Sequence, residues 1–487
     1  MFAHIHVAQF RLLGFLLATL CGLALGQLPI LTKIGFFIIA LLSYGIASTS
    51  KIHRITSCIL LCAFLLGFSR ALWVFDLAQK QSLLAKELAF PIDAVVTSFP
   101  QGVFASTFSV QEIRSGVVLS VTTKTSSSIT RGSTVRFDGN LTPLSSLPTS
   151  YAHYLAAHGY AAQTEASSEI ALLKPAPTFW RSLSALRSWI AHRITQALPQ
   201  SEGSFITALL LGSTSLPQDL ASDFRASGLQ HIVAVSGTHV TMLALFLAII
   251  ARAIGIERNI ARSLTLIAIA LYILLVGAPS SAIRAGVMGG VGIFAFMLRQ
   301  RVHAIRLLLY ATVGILLYDP LLLYWDAGFR LSVFAMLGLI TVASRIEMRL
   351  PAVLPSSVRT LLAMTFGAQI ATLPVILGTF ERLSLYGIIA NIVTVPLSPV
   401  LFGLVGIVGV SLLLPTLLLW TISLPAIWLS SYVIAMAHLA SSLPYASLSF
   451  SPPMTLIVML HLMVLIPAVK DLCFAFTEIK KSDINKD

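Results

Sequence analysis

The polar residues most able to do chemistry in this chain lie close together at 224–239, in the stretch FRASGLQHIVAVSGTH. Histidine, serine and glycine recur there at the mouth of, and inside, an apolar segment. Polar groups at membrane depth must be paired or face water, so such a cluster indicates a cavity, a broken helix or a pathway. Side chains that only bond a neighbouring helix are an equally weighted alternative.

Two catalytic uses of the same stretch have less support. Ser236 and His239 would be the nucleophile and base of an intramembrane serine hydrolase, but the elbow pattern Gly-x-Ser-x-Gly lacks its first glycine. His231 and His239 would bind a metal, but eight residues of one helix separate them by about 12 Å. The sequence therefore predicts no catalytic residue, no metal site and no cofactor.

An arginine stands inside a second apolar run, in PSSAIRAG at 279–286. Placing an arginine in a membrane costs about 3 kcal/mol or more, so Arg284 should face protein, water or an anion. Beside it, Ala282, Gly286 and Gly290 recur every four residues. A stripe of small residues predicts close packing against another helix.

Acidic residues and a further arginine follow, where Asp319-Pro320 precedes DAGFRLS at 326–332. Asp326 and Arg330 are four residues apart, so an ion pair within one helix is the simplest interpretation. Later segments add polar or helix-breaking positions at Gln369, Pro374, Asn391, Pro396 and Pro399.

These clusters belong to a chain of 487 residues that is 56% hydrophobic and only 10% charged, with a mean hydropathy of +0.89. Soluble chains carry roughly 25% charged residues, so a cytosolic enzyme, a secreted domain and a disordered scaffold are excluded. We predict an α-helical polytopic membrane protein of about 12 hydrophobic segments, some broken or re-entrant. Their positions are about 10–31, 34–48, 55–75, 229–251, 263–277, 279–298, 307–318, 322–343, 360–380, 384–414, 416–441 and 454–470.

A different composition occupies 80–175, where Ser, Thr, Val and Gly alternate as they do in strands. Strands are predicted at 92–97, 104–113, 117–123 and 134–138, with a last pair near 161–173. So many short strands indicate a small β-barrel, for which the OB type is the obvious candidate. An odd number of preceding segments places it outside the cytoplasm.

An amphipathic helix is predicted at 179–198. We expect it to lie in the membrane interface or to pack the barrel onto the membrane. Its apolar residues recur at three- and four-residue steps, at Phe179, Leu183, Leu186, Ile190, Ile194 and Ala197.

Most of the net charge of +13 sits in breaks between apolar segments. Arg11 and the breaks at 51–54, 252–262, 299–306 and 345–359 together carry twelve basic and two acidic residues. The positive-inside rule explains this excess and predicts that both termini are cytoplasmic. Bulk charge therefore gives little argument for a nucleic-acid partner. We expect no cleavable signal peptide, because the run at 10–31 is a full span.

The order and spacing of the motifs resemble the ComEC family of competence proteins, most strongly at about 204–396. The β region resembles that family's OB-like extracytoplasmic domain, at 131–139 and at Tyr154-Leu155 with Gly159. In the membrane region the resemblance rests on Ser227-Gly228-Leu229-x-His231, Ser236-Gly237-x-His239, Ser281-Ala282-x-Arg284-Ala285, Asp319-Pro320, Asp326-x-Gly328-Phe329-x-Leu331-Ser332, Gln369-x-x-Thr372-x-Pro374 and Asn391 through Pro396.

The resemblance implies a channel that passes single-stranded DNA across the bacterial cytoplasmic (inner) membrane during natural transformation. Many family members continue into a metallo-β-lactamase-like nuclease domain. Its motif is missing from this sequence, where the only His-x-His, His4-Ile5-His6, lacks the following Asp and His, so we expect no enzyme activity. The expected partners are DNA, the lipid bilayer, a cytoplasmic ATPase or helicase motor, a periplasmic or surface DNA receptor, a separate nuclease and a second copy of the chain. A small-solute permease is a further alternative, but it gives no reason for an extracytoplasmic β domain.

The expected organisation has N-terminal transmembrane segments at 1–78, the β domain at 79–176, interfacial helices at 177–228, the channel domain at 229–472 and a cytoplasmic tail at 473–487. Residues expected along the DNA pathway are Arg225, His231, Ser236, His239, Arg284, Asp326, Arg330, Gln369 and Asn391. Residues expected to bind DNA on the β domain are Arg114, Lys124, Arg131 and Arg136.

Overall fold

The computed structural model describes residues 51–100, 106–123, 129–167, 170–212, 216–233, 237–297 and 303–477. Helix α1 (Lys51–Lys86) leads into a β domain, and the described chain beyond residue 177 is almost entirely helical. The predicted segments at 10–31 and 34–48 lie outside these residues.

The β domain contains seven strands. They are β1 (Ile92–Val96), β2 (Ser106–Glu112), β3 (Val118–Thr123), β4 (Thr134–Phe137), β5 (Gly139–Pro143), β6 (Ala162–Ala166) and β7 (Ala171–Lys174), with α2 (Thr149–Ala157) between β5 and β6. Period-two burial along β1 and β4 reproduces the alternation in the sequence. Strand β5 was not predicted, because its sequence does not alternate clearly, and helix α2 was not predicted either.

Within the described residues, the strand pairings form one seven-stranded sheet in the order β5-β6-β3-β2-β1-β4-β7. Strands β1, β2 and β3 are an antiparallel meander, β3 runs parallel to β6, and β6 is antiparallel to β5. Only Asp138 separates β5 from β4, and β4 pairs with β1. The sheet buries a cluster of apolar side chains that includes Phe108 and Phe137, which are 3% and 1% exposed. These two phenylalanines are therefore core residues of the β domain.

The helices that follow are α3 (Thr178–Ala197), α4 (Gln200–Leu211), α5 (Gln218–Ala226), α6 (Gln230–Val233), α7 (Gly237–Ala253), α8 (Arg258–Leu275), α9 (Ser280–Met297), α10 (Ala304–Tyr318), α11 (Leu321–Trp325) and α12 (Ala327–Leu337). After a π-helical turn (Gly338–Val342) come α13 (Ala343–Glu347), α14 (Ser356–Phe380), β8 (Arg382–Ser384), α15 (Gly387–Thr394), α16 (Ser398–Ser411), α17 (Thr416–Ser442), β9 (Ser447–Ser449) and α18 (Met454–Thr477).

Within the described ranges, five helical stretches are long and apolar enough to cross a membrane: Arg258–Leu275, Ala327–Glu347, Ser356–Phe380, Gly387–Ser411 and Thr416–Ser442. Shorter apolar helices lie at His239–Ala253, Ser281–Ile293, Ala304–Tyr318 and Thr455–Ala468. Many side chains on these helices are large, apolar and exposed, as expected for surfaces that face lipid. The prediction of a mostly helical membrane protein with a β-sheet region is confirmed.

Helix α3 connects the β domain to the helical bundle. At its start, Trp180 lies under the Arg131 guanidinium, 4.1 Å from the ring centroid. At its end, Ile194 and Ala197 are buried in the bundle core. Arg187 donates to the carbonyl of Leu275 at the end of α8, and Arg193 donates to that of Leu412 after α16 (3.2 Å). The predicted helix thus exists, and its contacts agree with the packing alternative.

Candidate functional site

Three charged residues from two helices meet in the bundle and form what we call the arginine cluster: Arg284, Asp326 and Arg330. Arg284 projects from α9 and is only 3% exposed. Its Nη2 donates to the Gly328 carbonyl at 2.7 Å, and its guanidinium lies 5.2 Å from the centroid of the Phe329 ring. The sequence-based expectation that Arg284 faces protein, water or an anion agrees with these contacts.

Asp326 stands at the junction of α11 and α12. Its Oδ1 accepts a hydrogen bond from the Phe329 amide (3.1 Å) and so caps the N-terminus of α12, although the residue is only 3% exposed. It also lies close enough to Arg284 and Arg330 to interact electrostatically with both. The Arg330 Nη2 donates to Thr379 Oγ1 at 3.0 Å, near the end of α14. Asp326 therefore caps α12 and interacts with Arg284 of α9 as well as with Arg330 of its own helix.

The short helix α11, which precedes Asp326, is contacted by the β domain and by helix α1. From α2 of the β domain, the His153 ring stacks on Trp325, with centroids 5.3 Å apart and planes 9° apart. From α1, Phe75 contacts the same tryptophan at 6.2 Å. Arg70 of α1 donates to the carbonyls of Leu317 and Tyr318 at the end of α10 (2.8 and 2.5 Å). The β domain thus docks directly beside the arginine cluster.

The motif at 227–229 makes a second close contact, the glycine contact, between Gly228, Ser384 and Gly387. Gly228 ends α5 with φ of +75°, and a Cβ placed there would lie 3.2 Å from the Gly387 Cα and 3.3 Å from Ser384. Ser384 Oγ donates to the Ala226 carbonyl at 2.8 Å. Ser227 and Leu229 are completely buried. These motif residues hold the fold together.

The neighbouring histidines have different surroundings. His231 is exposed, and its Nδ1 atom lies 3.3 Å from the Gly228 carbonyl oxygen. His239 is 4% exposed, and its ring lies 4.4 Å from that of Phe402. Arg225 is exposed on α5. Ser236 lies outside the described residues, so the geometry of a serine hydrolase stays untested.

Two more expected pathway residues touch each other. Asn391 Nδ2 donates to Gln369 Oε1 at 3.3 Å and joins α15 to α14. The Asn391 Oδ1 atom is buried and has no hydrogen-bond partner among the described residues. The small-residue stripe on α9 packs against α8, since a Cβ at Gly286 would lie 2.4 Å from Ile273 Cδ1 and one at Gly290 3.8 Å from Leu266. The predicted packing role of this stripe is confirmed.

On the β domain, two of the four expected DNA-binding residues, Arg131 and Arg136, contact other side chains of the protein. Arg136 forms a two-pronged ion pair with Asp93, with N–O distances of 2.6 and 2.7 Å, and this hydrogen bonding lowers the pKa of the Asp93 carboxyl. Arg131 lies over Trp180, as described above, and burial lowers its pKa. Arg114 is exposed in the turn after β2, and Lys124 lies outside the described residues.

Sequence reasoning missed the residues that surround the arginine cluster, above all Arg70, His153, Tyr154 and Trp325. The run YAHYLAAHGY at 151–160 was a usable signal, because aromatic rings and histidines recur there at helical spacing. Within the described residues there is no group of three or more His, Cys, Asp or Glu residues that could hold a metal ion.

Comparison with known proteins identifies the family to which the chain belongs. Residues 209–472, more than half of the chain, match the family model described as "Competence protein". The chain is also similar to ComE operon protein 3 of Bacillus subtilis (strain 168), with 29% identity over 213 residues, which are 44% of this chain and 27% of that protein. The matched region therefore spans only about a quarter of that relative. No solved structure matches. The matched residues include all of the arginine cluster and the glycine contact, and the chain belongs to the ComEC family of competence proteins.

Proposed function

We propose that this protein is an inner-membrane channel that passes a single strand of DNA into the cytoplasm during natural transformation. The observation that carries the proposal is the arginine cluster, which places two guanidinium groups and one carboxylate inside a bundle of apolar helices. Charged residues within a membrane bundle are costly, and they are usually retained where they face a pathway or a polar partner. A polyanion in transit needs cations and hydrogen-bond donors of this kind.

The position of the cluster supports the same function. Helix α2 of the β domain rests on α11, one residue before Asp326, so anything guided by the β domain would arrive at the two arginines. His231 and the Gln369–Asn391 pair supply further polar groups in the same matched region. Family membership supports a role in competence and DNA uptake.

The proposed architecture goes further than the described helices. We propose about 12 membrane segments, with the described apolar helices preceded by those at 10–31 and 34–48. The β domain lies outside the cytoplasm, and both termini lie inside. The strand order β5-β6-β3-β2-β1-β4, with β3 and β6 parallel, supports an OB-type barrel, although α2 stands between β5 and β6.

The proposed partners supply the steps that a channel does not perform itself: delivery of the DNA, degradation of one strand and a driving force for the other. We propose that a separate cytoplasmic ATPase or helicase pulls the strand, that a periplasmic or surface receptor delivers it, and that a separate nuclease degrades the other strand. In this proposal the chain is not an enzyme. A homo-oligomer remains compatible with it.

The direct test is uptake of labelled duplex DNA by cells that lack this protein. We expect DNA to accumulate outside the cytoplasmic membrane, where added nuclease degrades it after the outer layers are opened, and none to reach the cytoplasm. Restoring the gene should restore entry. Unchanged entry in the deletion strain would reject the channel and move the hydrolase alternative at Ser236 to the front, to be tested by phosphonate labelling.

A further inference from the structure

Helix α2 carries a row of aromatic rings on one of its faces. Tyr151 and Tyr154 stack with centroids 6.3 Å apart and planes 12° apart, and the His158 ring follows 4.4 Å from Tyr154. The spacing of three and four residues places all three rings on one side of the helix. Tyr151 is 38% exposed and Tyr154 is 47% exposed, so this aromatic row is open to its surroundings.

A different face of α2 fastens the helix to the rest of the protein. His153 stacks on Trp325 of α11, and Ala157, on the same face of α2, is 1% exposed. The contact between α2 and α11 thus uses the His153 ring, whereas Tyr151, Tyr154 and His158 lie on another face.

Charged groups lie beside the aromatic row. Tyr154 is close enough to Asp326 to interact electrostatically, His153 to Arg330, and His158 to Asp319. Arg70 interacts with Asp319, and Arg284 with Asp326. Three guanidinium groups thus lie around the two carboxylates nearest to the rings, so this group of charged residues has a net charge of +1.

Open rings beside excess positive charge are the combination that binds single-stranded nucleic acid, in which bases stack on rings and phosphates pair with cations. We propose that Tyr151, Tyr154 and His158 form a base-stacking site for single-stranded DNA at the entrance to the arginine cluster. The inference rests on the proposed function and assigns first contact with the bases to α2, since Phe108 and Phe137 are buried inside the β domain. The site recognises bases by their flat faces and is therefore independent of sequence.

The test measures binding of two labelled oligonucleotides to the purified full-length protein in lipid nanodiscs. One is a thymidine oligonucleotide, and the other is an abasic strand with the same number of phosphates. We expect the double variant Tyr151→Ala with Tyr154→Ala to bind the thymidine strand about 10- to 100-fold more weakly, because stacking contributes roughly 1–3 kcal/mol per base. Binding of the abasic strand should change less than about twofold, because its phosphates meet the same cations.

Two controls separate stacking from other roles. The double variant Tyr151→Phe with Tyr154→Phe keeps both rings and should bind thymidine like the unaltered protein. Tyr445→Ala removes a tyrosine that is 76% exposed on another part of the bundle and should have no effect. If the alanine variant is poorly folded, photocrosslinking of a 5-iodouracil strand to the unaltered protein should label Tyr151 or Tyr154, and labelling confined to other residues would overturn the proposal.

Equal loss of binding for both strands, or equal binding of both by the unaltered protein, would also overturn the stacking site. Such a result would leave the channel standing if the deletion strain still fails to import DNA. The opposite result is also informative. If the nanodisc measurement confirms stacking but DNA enters the deletion strain normally, the proposed channel function is overturned and the stacking site stands.

Discussion

The glycine contact and the arginine cluster are both built from polar or small motif residues in apolar sequence, yet they do different work. In the glycine contact, Gly228 lets two backbones approach closely, and its neighbours Ser227 and Leu229 are fully buried. In the arginine cluster, Arg284 and Arg330 surround a carboxylate that caps a helix. A motif match alone therefore does not distinguish residues that allow close packing of the bundle from residues that place charged groups inside it.

The largest effect is expected from the arginine cluster. Arg284→Ala removes the donor to Gly328 and one of the cations near Asp326, and breaking a buried charge pair costs about 3–5 kcal/mol. A free-energy cost of about 3 kcal/mol corresponds to a factor of more than about 100 in an equilibrium constant. We therefore expect at least about 100-fold fewer transformants per cell. The measurement is transformation frequency, normalised to the amount of protein in the membrane.

The control for this variant is Val287→Ala on the same helix, where the side chain is 38% exposed and no charge is lost. It should transform normally. Arg284→Lys keeps the charge without the planar fork and should lie between the two. Normal transformation by Arg284→Ala would show that the arginine cluster is not needed for DNA passage.

The next effect comes from packing, at the closest helix approach described. A Cβ at Gly338 would lie 2.2 Å from the Gly367 carbonyl oxygen and 2.7 Å from the Ala371 Cβ, so Gly338→Ala forces the π-helical turn away from α14. We expect a loss of about 1–3 kcal/mol in the free energy of unfolding, as for overpacked cores. Thermal unfolding in detergent measures it.

Gly314→Ala on α10 is the matched control, because a Cβ there would have no neighbour within 4 Å. That substitution should be neutral or should stabilise the helix by about 0.5–1 kcal/mol. A destabilised Gly314→Ala together with an unaffected Gly338→Ala would contradict the packing argument.

A smaller effect is expected at the glycine contact. Gly228→Ala places a side chain at φ of +75°, which costs about 1–2 kcal/mol, and adds a crowded Cβ 3.2 Å from Gly387. Gly255→Ala has nearly the same φ, +73°, but nothing within 4 Å. The difference in unfolding temperature between the two variants therefore measures the crowding against Gly387 and Ser384.

Transformation per folded molecule should be unchanged in Gly228→Ala, in contrast to Arg284→Ala. If Gly228→Ala folds normally but fails to transform, the glycine contact belongs to the pathway, and the division between packing residues and charged residues is wrong.

The smallest effect is expected at an exposed charge pair, which sharpens the contrast with the buried cluster. Arg136 lowers the pKa of Asp93 below its ordinary value of 3.8, so the pair stabilises the folded state above that pH and is lost as the pH falls through the lowered pKa. Asp93→Asn should abolish this acid-sensitive component, which hydrogen exchange of β1 and β4 between pH 2 and about 5 would detect. An unchanged acid profile would show that the pair contributes nothing measurable.

The sequence predicted the elements with strong periodicity but few of the contacts between them, the small-residue stripe on α9 being one that it did predict. Strands β1 to β4 and helix α3 lie within a few residues of their predicted positions, because alternation and helical spacing are local properties. The arginine cluster was predicted residue by residue, but its assembly with Arg70, His153 and Trp325 depends on how α1, α2 and α11 meet. Such contacts join residues hundreds of positions apart, and no local pattern encodes them.

The π-helical turn at Gly338–Val342 gives the bundle a tolerance for insertion. Each residue of an α-helix turns the chain by about 100°, so one extra residue in a regular helix would swing everything beyond it to another side. The wide turn absorbs one residue, so that Arg330 before it reaches Thr379 while Arg345 after it reaches Asp471 at 2.6 Å. A relative that lacks one residue at 338–342 would have a regular α-helix at this point. It would keep the contacts equivalent to Arg330 with Thr379 and Arg345 with Asp471. Single-residue length changes among homologues are therefore expected to accumulate at 338–342 and to be rare in the neighbouring turns.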